Sequence, residues 1–281
     1  MPLLPKPSAR MFVFIVLGCC ASIYVALVSL LWVFQERLIF PTHMVGEASY
    51  DLPASTERLE LVTDTGATIY GNLVPARSGP PRALVIGFAG NAWQADDCAV
   101  FLSHRLPDYD VAVFHYRGYA PSEGEPGEAA FFSDALLIHD ALEERLEPKK
   151  TIAIGLSIGS GVAAYLAKQR PLNGLLLVTP FDSVAAVAKE RFFWAPVRHM
   201  LRHPFDSAKH LQGVDTPTAV IIAGDDTIVP RPHTEALIAG LENVVLTETI
   251  PGESHAGLYH NGALDTLLSQ IVDTVAQASA R

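Results

Sequence analysis

The pattern of hydrophobic and polar residues divides the chain into an apolar N-terminal segment and a longer part in which strands and helices alternate. Residues 11–34 carry no charge. After a connector at residues 35–58, two short apolar segments flank Asp64-Thr65-Gly66, which predicts an antiparallel hairpin. From residue 83 onward, continuous apolar runs alternate with segments of helical pattern. We therefore predict an α/β fold with a mostly parallel central sheet and helices on both faces.

The predicted elements have approximate bounds. Strands are predicted at residues 83–88, 110–116, 151–155, 174–179, 218–223 and 243–250. Helices are predicted at residues 92–105, 127–146, 158–169, 183–192, 232–241 and 262–279. In such a sheet, ligands bind beyond the carboxyl ends of the strands.

The apolar segment is long enough to cross a membrane. Residues 11–34 would form about 36 Å of helix, against a hydrocarbon core of about 30 Å. A cleaved signal peptide would have a shorter apolar core and small residues at its exit. A lipoprotein signal at Val16-Leu17-Gly18-Cys19 would need a smaller residue than Leu17, and the apolar run continues beyond it. We therefore expect an uncleaved transmembrane anchor.

The anchor sets the predicted organisation and sidedness. We predict a short tail at residues 1–10, the anchor at 11–34, the connector at 35–58 and a catalytic domain at 59–281. Lys6 and Arg10 precede the anchor, and Arg37 follows it. This bias predicts a cytoplasmic N-terminus and a catalytic domain on the periplasmic or lumenal side.

Composition narrows the function classes. Of 281 residues, about 240 remain after the leader, which suits one large domain. The net charge of −10 gives no reason to expect nucleic-acid binding. Cys19 and Cys20 lie in the anchor, so Cys98 has no partner for a disulfide within the domain, and we expect it to be a small buried residue. We expect no metal, no organic cofactor and no obligate protein partner.

A candidate nucleophile lies in Gly155-Leu156-Ser157-Ile158-Gly159, between a predicted strand and a predicted helix. A serine at such a sharp turn projects clear of the sheet, and the glycines permit the cramped backbone. The pattern alone also occurs by chance in ordinary turns. Its position between strand and helix favours a nucleophile elbow with Ser157 as the attacking group.

A serine hydroxyl needs a base, and the base needs a group that orients it. In this architecture the acid and then the histidine follow the serine along the chain. Asp225 and Asp226 follow the strand at 218–223, and we prefer Asp226 while Asp225 forms the turn. His255 follows the strand at 243–250 directly after a Pro-Gly turn, and we prefer it to His260.

An oxyanion that forms on the substrate needs two backbone N–H donors. We assign one to Ile158, the residue after the nucleophile. We assign the other to Asn91, in the small-residue loop Phe88-Ala89-Gly90-Asn91-Ala92. The same loop could serve only as a strand-to-helix turn, which has the same conformation.

Together these motifs resemble those of a known family. The loop at 88–92 is similar to the His-Gly-Asn-Ala loop of α/β-hydrolase-domain serine hydrolases, with Ala89 where that family usually has His. The segment at 116–124 resembles their Tyr-Arg-Gly-Tyr signature, and Leu38-Ile39-Phe40-Pro41 after an anchor matches as well. The chain most resembles the membrane-anchored subgroup labelled abhydrolase or serine-aminopeptidase-like. The resemblance implies an α/β-hydrolase fold from about residue 35 onward, and a bracing role for Arg117 and Glu123.

The expected reaction is hydrolysis of a carboxylic ester or related acyl bond of a small-molecule or lipid-like substrate. Between Pro180 and Thr216 lie bulky residues that could line an acyl pocket or belong to the core: Phe181, Phe192, Phe193, Trp194, Met200, Leu201 and Phe205. One alternative is a peptidase or amidase with the same three residues. A more distant alternative is a non-catalytic, membrane-tethered interaction protein.

Overall fold

The computed structural model describes residues 9–278. Within this range eight strands form one sheet, in the order β1-β2-β4-β3-β5-β6-β7-β8. The strands are β1 (Glu57–Val62), β2 (Thr68–Val74), β3 (Leu84–Phe88), β4 (Asp110–Phe114), β5 (Thr151–Leu156), β6 (Gly174–Val178), β7 (Thr218–Ala223) and β8 (Val244–Ile250). β1 and β2 form the predicted antiparallel hairpin, β2 is antiparallel to β4, and every later pairing is parallel.

The helices cover both faces of the sheet. α3 packs on α4, which contacts β5, whereas α2 packs on α9, which contacts β6. The helices are α1 (Ala9–Ile39), α2 (Ala95–Arg105), α3 (Glu128–Leu146), α4 (Ile158–Gln169), α5 (Val184–Arg191), α6 (Val197–Met200), α7 (Ser207–His210), α8 (Arg231–Ala239) and α9 (Ala263–Ala278). Every residue of β3, β5, β6 and β7 is buried, which explains why these strands are continuous apolar runs. The predicted α/β architecture is confirmed.

Several element bounds differ from the prediction for local reasons. The helix expected to begin at residue 92 begins at Ala95, because Trp93 N–H donates to Gly90 O (3.2 Å) in a turn and Gln94 caps the helix. The strand expected to reach residue 116 ends at Phe114. Residue 279, predicted as the end of the last helix, lies outside the described residues. The short helices α6 and α7 were not predicted.

Helix α1 contains the predicted anchor and continues past it to Ile39, just before Phe40-Pro41, where a helix is disfavoured. Thus the first residues of the predicted connector are helical, and β1 begins at Glu57, before the connector's predicted end. The most apolar window of α1 has a mean hydropathy of 2.6, and none of that window is buried in protein. Among residues 9–278, α1 alone is long and apolar enough to cross a membrane. Lys6 and most of the predicted tail lie outside the described residues.

Parallel register brings four strand ends to one edge. Phe88 at the end of β3 pairs with Gly155, and Leu156 at the end of β5 pairs with Val178. Ala223 at the end of β7 pairs with Ile250 at the end of β8. The loops that carry Asn91, Ser157, Asp226 and His255 therefore all leave from the same edge of the sheet.

Candidate active site

Ser157 occupies a sharp turn between β5 and α4. Its φ of +53° lies in the left-handed region, which is costly for a residue with a side chain and is characteristic of strained functional turns. The turn is fixed by Ser157 N–H, which donates to Val178 O (2.9 Å) on the neighbouring strand. Ser157 as a whole is only partly buried.

The two glycines of the elbow, Gly155 and Gly159, leave no room for a side chain. A Cβ at Gly155 would lie 2.5 Å from Ser160 Cα, and one at Gly159 would lie 2.1 Å from Phe88 O. The second contact also shows that the loop after β3 lies directly against the elbow. The sequence pattern therefore reflects a real steric constraint at both positions.

We expect Gly159→Ala to destabilise the domain by about 3 kcal/mol, because the backbone of Phe88 and Ala89 must move away from the elbow to admit the methyl group. This corresponds to a fall in Tm of roughly 6–12 °C, measurable by thermal unfolding in detergent. Gly90→Ala is the matched control, since its nearest contacts, to Leu156 O and Ser157 Cβ, are ordinary ones at 3.8 Å. An equal fall in Tm for both variants would contradict this steric explanation.

His255 bridges the serine and the preferred acid. Its Nε2 lies 2.8 Å from Ser157 Oγ, and its Nδ1 lies 2.7 Å from Asp226 Oδ2. A carboxylate can only accept, so Nδ1 carries the proton and Nε2 is left to accept from the serine hydroxyl. The three predicted side chains are therefore brought together in the arrangement that nucleophilic catalysis requires.

Asp226 is held from its other side. Its Oδ1 accepts from the backbone N–H groups of Ile228 and Val229, both at 2.8 Å. Its side chain is only 5% exposed. By contrast, Asp225 is exposed and forms the turn, with its N–H donating to Glu253 O (2.8 Å). His260 is also exposed, in the turn before α9.

The loop at residues 88–92, which carries the predicted oxyanion donor Asn91, is held by three hydrogen bonds. Tyr116 Oη donates to Ala89 O (2.9 Å), and the Asn91 side-chain amide donates to Ile39 O (3.0 Å) at the end of α1. The third is the hydrogen bond from Trp93 N–H to Gly90 O. These contacts hold a loop that lacks the usual histidine at residue 89. Ile158 begins α4, so its N–H has no acceptor within that helix.

The loop at 116–124 is braced, as the resemblance implied, but by contacts that the sequence did not indicate. Arg117 Nε donates to Asp134 (3.1 Å), and its Nη2 donates to Asp64 in the β1–β2 hairpin (3.2 Å). The hydrogen bond to Asp134 raises the pKa of Arg117, so the guanidinium stays charged. Glu123 accepts instead from the backbone N–H of Thr68 (2.9 Å).

Sequence reasoning missed Tyr259, which lies behind the imidazole. Its ring meets that of His255 edge-on, with centroids 6.3 Å apart. Its hydroxyl lies 2.7 Å from the hydroxyl of Thr179, at the end of β6. Burial raises the pKa of Tyr259, which keeps the hydroxyl neutral. The spacing of four residues from His255 could have indicated that the two rings lie close together.

The bulky residues between β6 and β7 lie in three different environments. Phe181 and Phe205 belong to the buried core. A cavity of about 80 Å³ lies between α1 and the helices α5 and α6. Its wall includes Leu38, Ile39, Val184, Phe192, Met200 and Leu201. Phe193 and Trp194, predicted with the others, are exposed instead.

The chain is similar to known proteins in both sequence and fold. A family model described as the alpha/beta hydrolase fold matches residues 84–197. An uncharacterized protein of Mycobacterium tuberculosis is 33% identical over 247 residues, covering 85% of this chain and 87% of that protein. The lysophosphatidylserine lipase ABHD12 of Danio rerio is 31% identical over 140 residues, covering 43% of this chain and 37% of the lipase.

Solved structures agree with the sequence relatives. The crystal structure of an alpha-beta hydrolase from Vibrio vulnificus superposes with a TM-score of 0.63 at 21% identity, covering 79% of this chain and 81% of that one. The fold and the similarity to these proteins define an α/β hydrolase. The chain belongs to the α/β-hydrolase family, and the predicted family resemblance is confirmed.

Proposed function

We propose that this protein is a membrane-anchored serine hydrolase that cleaves carboxylic esters or related acyl bonds through an acyl-enzyme. The observation that carries the proposal is the pair of hydrogen bonds that joins His255 to Ser157 and to Asp226. A hydroxyl within 2.8 Å of an imidazole nitrogen can transfer its proton as it attacks.

In the first half of the reaction, Ser157 Oγ attacks the substrate carbonyl carbon while Nε2 of His255 takes the hydroxyl proton. Asp226 holds the ring and stabilises the imidazolium that results. The backbone N–H groups of Asn91 and Ile158 stabilise the negative charge on the former carbonyl oxygen. His255 then protonates the leaving group, and the ester bond breaks.

In the second half, His255 activates a water molecule by taking its proton. The hydroxide attacks the acyl-enzyme, the bond to Ser157 Oγ breaks, and the proton on His255 returns to the serine. The acid product leaves, and the site is regenerated. Residues of this chain supply every proton transfer in this scheme.

A lipid-like acyl substrate is favoured over a peptide by two observations. One relative is named a lysophosphatidylserine lipase. The small cavity beside α1 is also lined mostly by apolar side chains, which are the kind that contact an acyl chain, and Asn91 links its wall at Ile39 to the loop beside Ser157.

We expect p-nitrophenyl esters to be hydrolysed and aminoacyl anilides not to be, and kcat/KM for the esters to rise with acyl chain length. Each buried methylene adds up to about 0.8 kcal/mol, or roughly fourfold. Release of p-nitrophenolate or of the aniline gives both rates on the same preparation. Faster cleavage of the anilides would favour the peptidase alternative.

The membrane part of the proposal concerns α1 and its orientation. Its length and composition support a single span, and Arg10 before the apolar run supports a cytoplasmic N-terminus. The catalytic domain then faces the periplasm or lumen. A reporter that is active on one side of the membrane only, fused to the C-terminus, tests this orientation.

A further inference from the structure

The connection between α5 and α6 exposes two large aromatic side chains. Phe193 is 83% exposed and Trp194 is 37% exposed. The neighbouring residue Phe192 faces the cavity against α1 instead. We call residues 192–195 the aromatic loop. Exposed aromatic residues next to each other indicate a surface that contacts something other than water.

The aromatic loop lies beside α1, well inside the apolar segment. Tyr24 Oη donates to Trp194 O (3.1 Å), and the two rings meet edge-on with centroids 6.4 Å apart. Nearer the end of α1, Gln35 donates to Met200 O (3.2 Å) and accepts from Arg202 N–H (2.8 Å). The segment from Trp194 to Arg202 thus runs alongside α1 from Tyr24 to Gln35.

The level of Tyr24 in the membrane follows from the length of the helix. A hydrocarbon core of about 30 Å takes about 20 helical residues. Counted from Met11, the first residue after Arg10, this length ends near Leu30. Tyr24 then lies about 9 Å inside the hydrocarbon at 1.5 Å per residue. Sliding α1 outward until Tyr24 reached the surface would leave only residues 11–23 inside, roughly 20 Å, which is too short to span.

The charges around the aromatic loop favour a lipid headgroup region. The segment 184–202 contains four basic residues, Lys189, Arg191, Arg198 and Arg202, and one acidic residue, Glu190. The whole chain, by contrast, has a net charge of −10. Arg202 pairs with Glu36 (2.7 Å) and lies over the ring of Trp32 (4.4 Å), which ties the segment to the outer end of α1. Basic residues that flank exposed aromatic ones are typical of elements inserted at a membrane interface.

We propose that the aromatic loop inserts into the lipid bilayer that α1 spans, with Phe193 and Trp194 among the acyl chains and Arg191 and Arg198 at the headgroups. The proposal rests on the membrane anchoring in the proposed function. It brings the cavity between α1 and α5–α6 to the membrane surface. An acyl ester dissolved in the bilayer would then approach the loop beside Ser157 from the lipid side, because Ile39 in the cavity wall accepts a hydrogen bond from Asn91 of that loop.

The test uses the full-length protein in vesicles of phosphatidylcholine and phosphatidylglycerol. Emission of Trp194 is obtained as the difference between wild type and Trp194→Phe, which leaves Trp32 and Trp93 in place. We expect lipids brominated on their acyl chains to quench this emission and aqueous iodide not to. Quenching by iodide without quenching by brominated lipid would overturn the proposal. Because this readout needs no catalysis, it is independent of whether the protein hydrolyses esters.

A second arm measures the functional consequence. Phe193→Asp should lower the ratio of activity on a long-chain ester in vesicles to activity on soluble p-nitrophenyl acetate by about tenfold. Phe193→Leu, which keeps an apolar side chain, should retain most of the wild-type ratio. An unchanged ratio in Phe193→Asp would count against uptake from the lipid side.

Discussion

Replacing Ser157 by alanine is expected to lower kcat for p-nitrophenyl acetate by about 10⁵-fold. The variant loses the attacking oxygen, and the hydroxyl that faces Nε2 of His255 at 2.8 Å is gone. The elbow itself should survive, because its backbone is fixed by the hydrogen bond to Val178 and not by the side chain. Initial rates on purified protein in detergent give the measurement.

The matched control is Ser49→Ala, which removes the hydroxyl of an exposed serine. Its rate should equal that of wild type. A Ser157→Ala protein that kept a tenth or more of the wild-type rate would show that another group attacks the ester.

The second large effect is expected from Asp226→Asn, which should lower kcat by roughly 10⁴-fold. In the variant the amide oxygen would keep accepting from Ile228 and Val229, which turns the NH₂ group toward His255. Nδ1 would then have to accept, the proton would move to Nε2, and the ring could no longer take the proton of Ser157. The loss would therefore come from a reversed tautomer in an otherwise intact site.

The neighbouring Asp225→Asn provides the control for this prediction. It makes the same chemical change one residue away, on an exposed side chain, and its backbone contact to Glu253 is kept. We expect its kcat to lie within about twofold of wild type, since surface changes away from a site usually have small effects. Equal losses in the two variants would assign the effect to the loop and not to the imidazole partner.

The part of the site that could be predicted depends on local sequence and on chain order. The elbow is formed by five consecutive residues. Its glycines are required because a side chain there would clash with the same turn or with the adjacent strand. Asp226 and His255 follow from a rule of parallel sheets, because strand register carries their loops to one edge. The preference for Asp226 over Asp225 agrees with the hydrogen bond from Nδ1 of His255.

The contacts that hold the site could not be predicted, because they join residues far apart in sequence. Asn91 was assigned for its backbone, whereas its side chain bonds Ile39 at the end of α1. Tyr116 was noted only as part of a motif, yet it holds Ala89. No periodicity in either segment encodes such a pairing.

Composition alone also could not sort the aromatic residues between β6 and β7. Phe205 is fully buried and Phe193 is largely exposed, although both follow β6 within a segment of similar character. The difference depends on how α5, α6 and α7 pack against α1 and the core. A pattern of bulky residues predicts an apolar surface, but it does not tell which side of a short helix faces the protein.

The most direct test of the account is labelling of the folded protein by a fluorophosphonate probe, with the modified peptide identified by mass spectrometry. The account predicts one label, on Ser157, that disappears in Ser157→Ala and is strongly slowed in Asp226→Asn. Absence of labelling in folded wild-type protein, or equal labelling of Ser157→Ala, would contradict it.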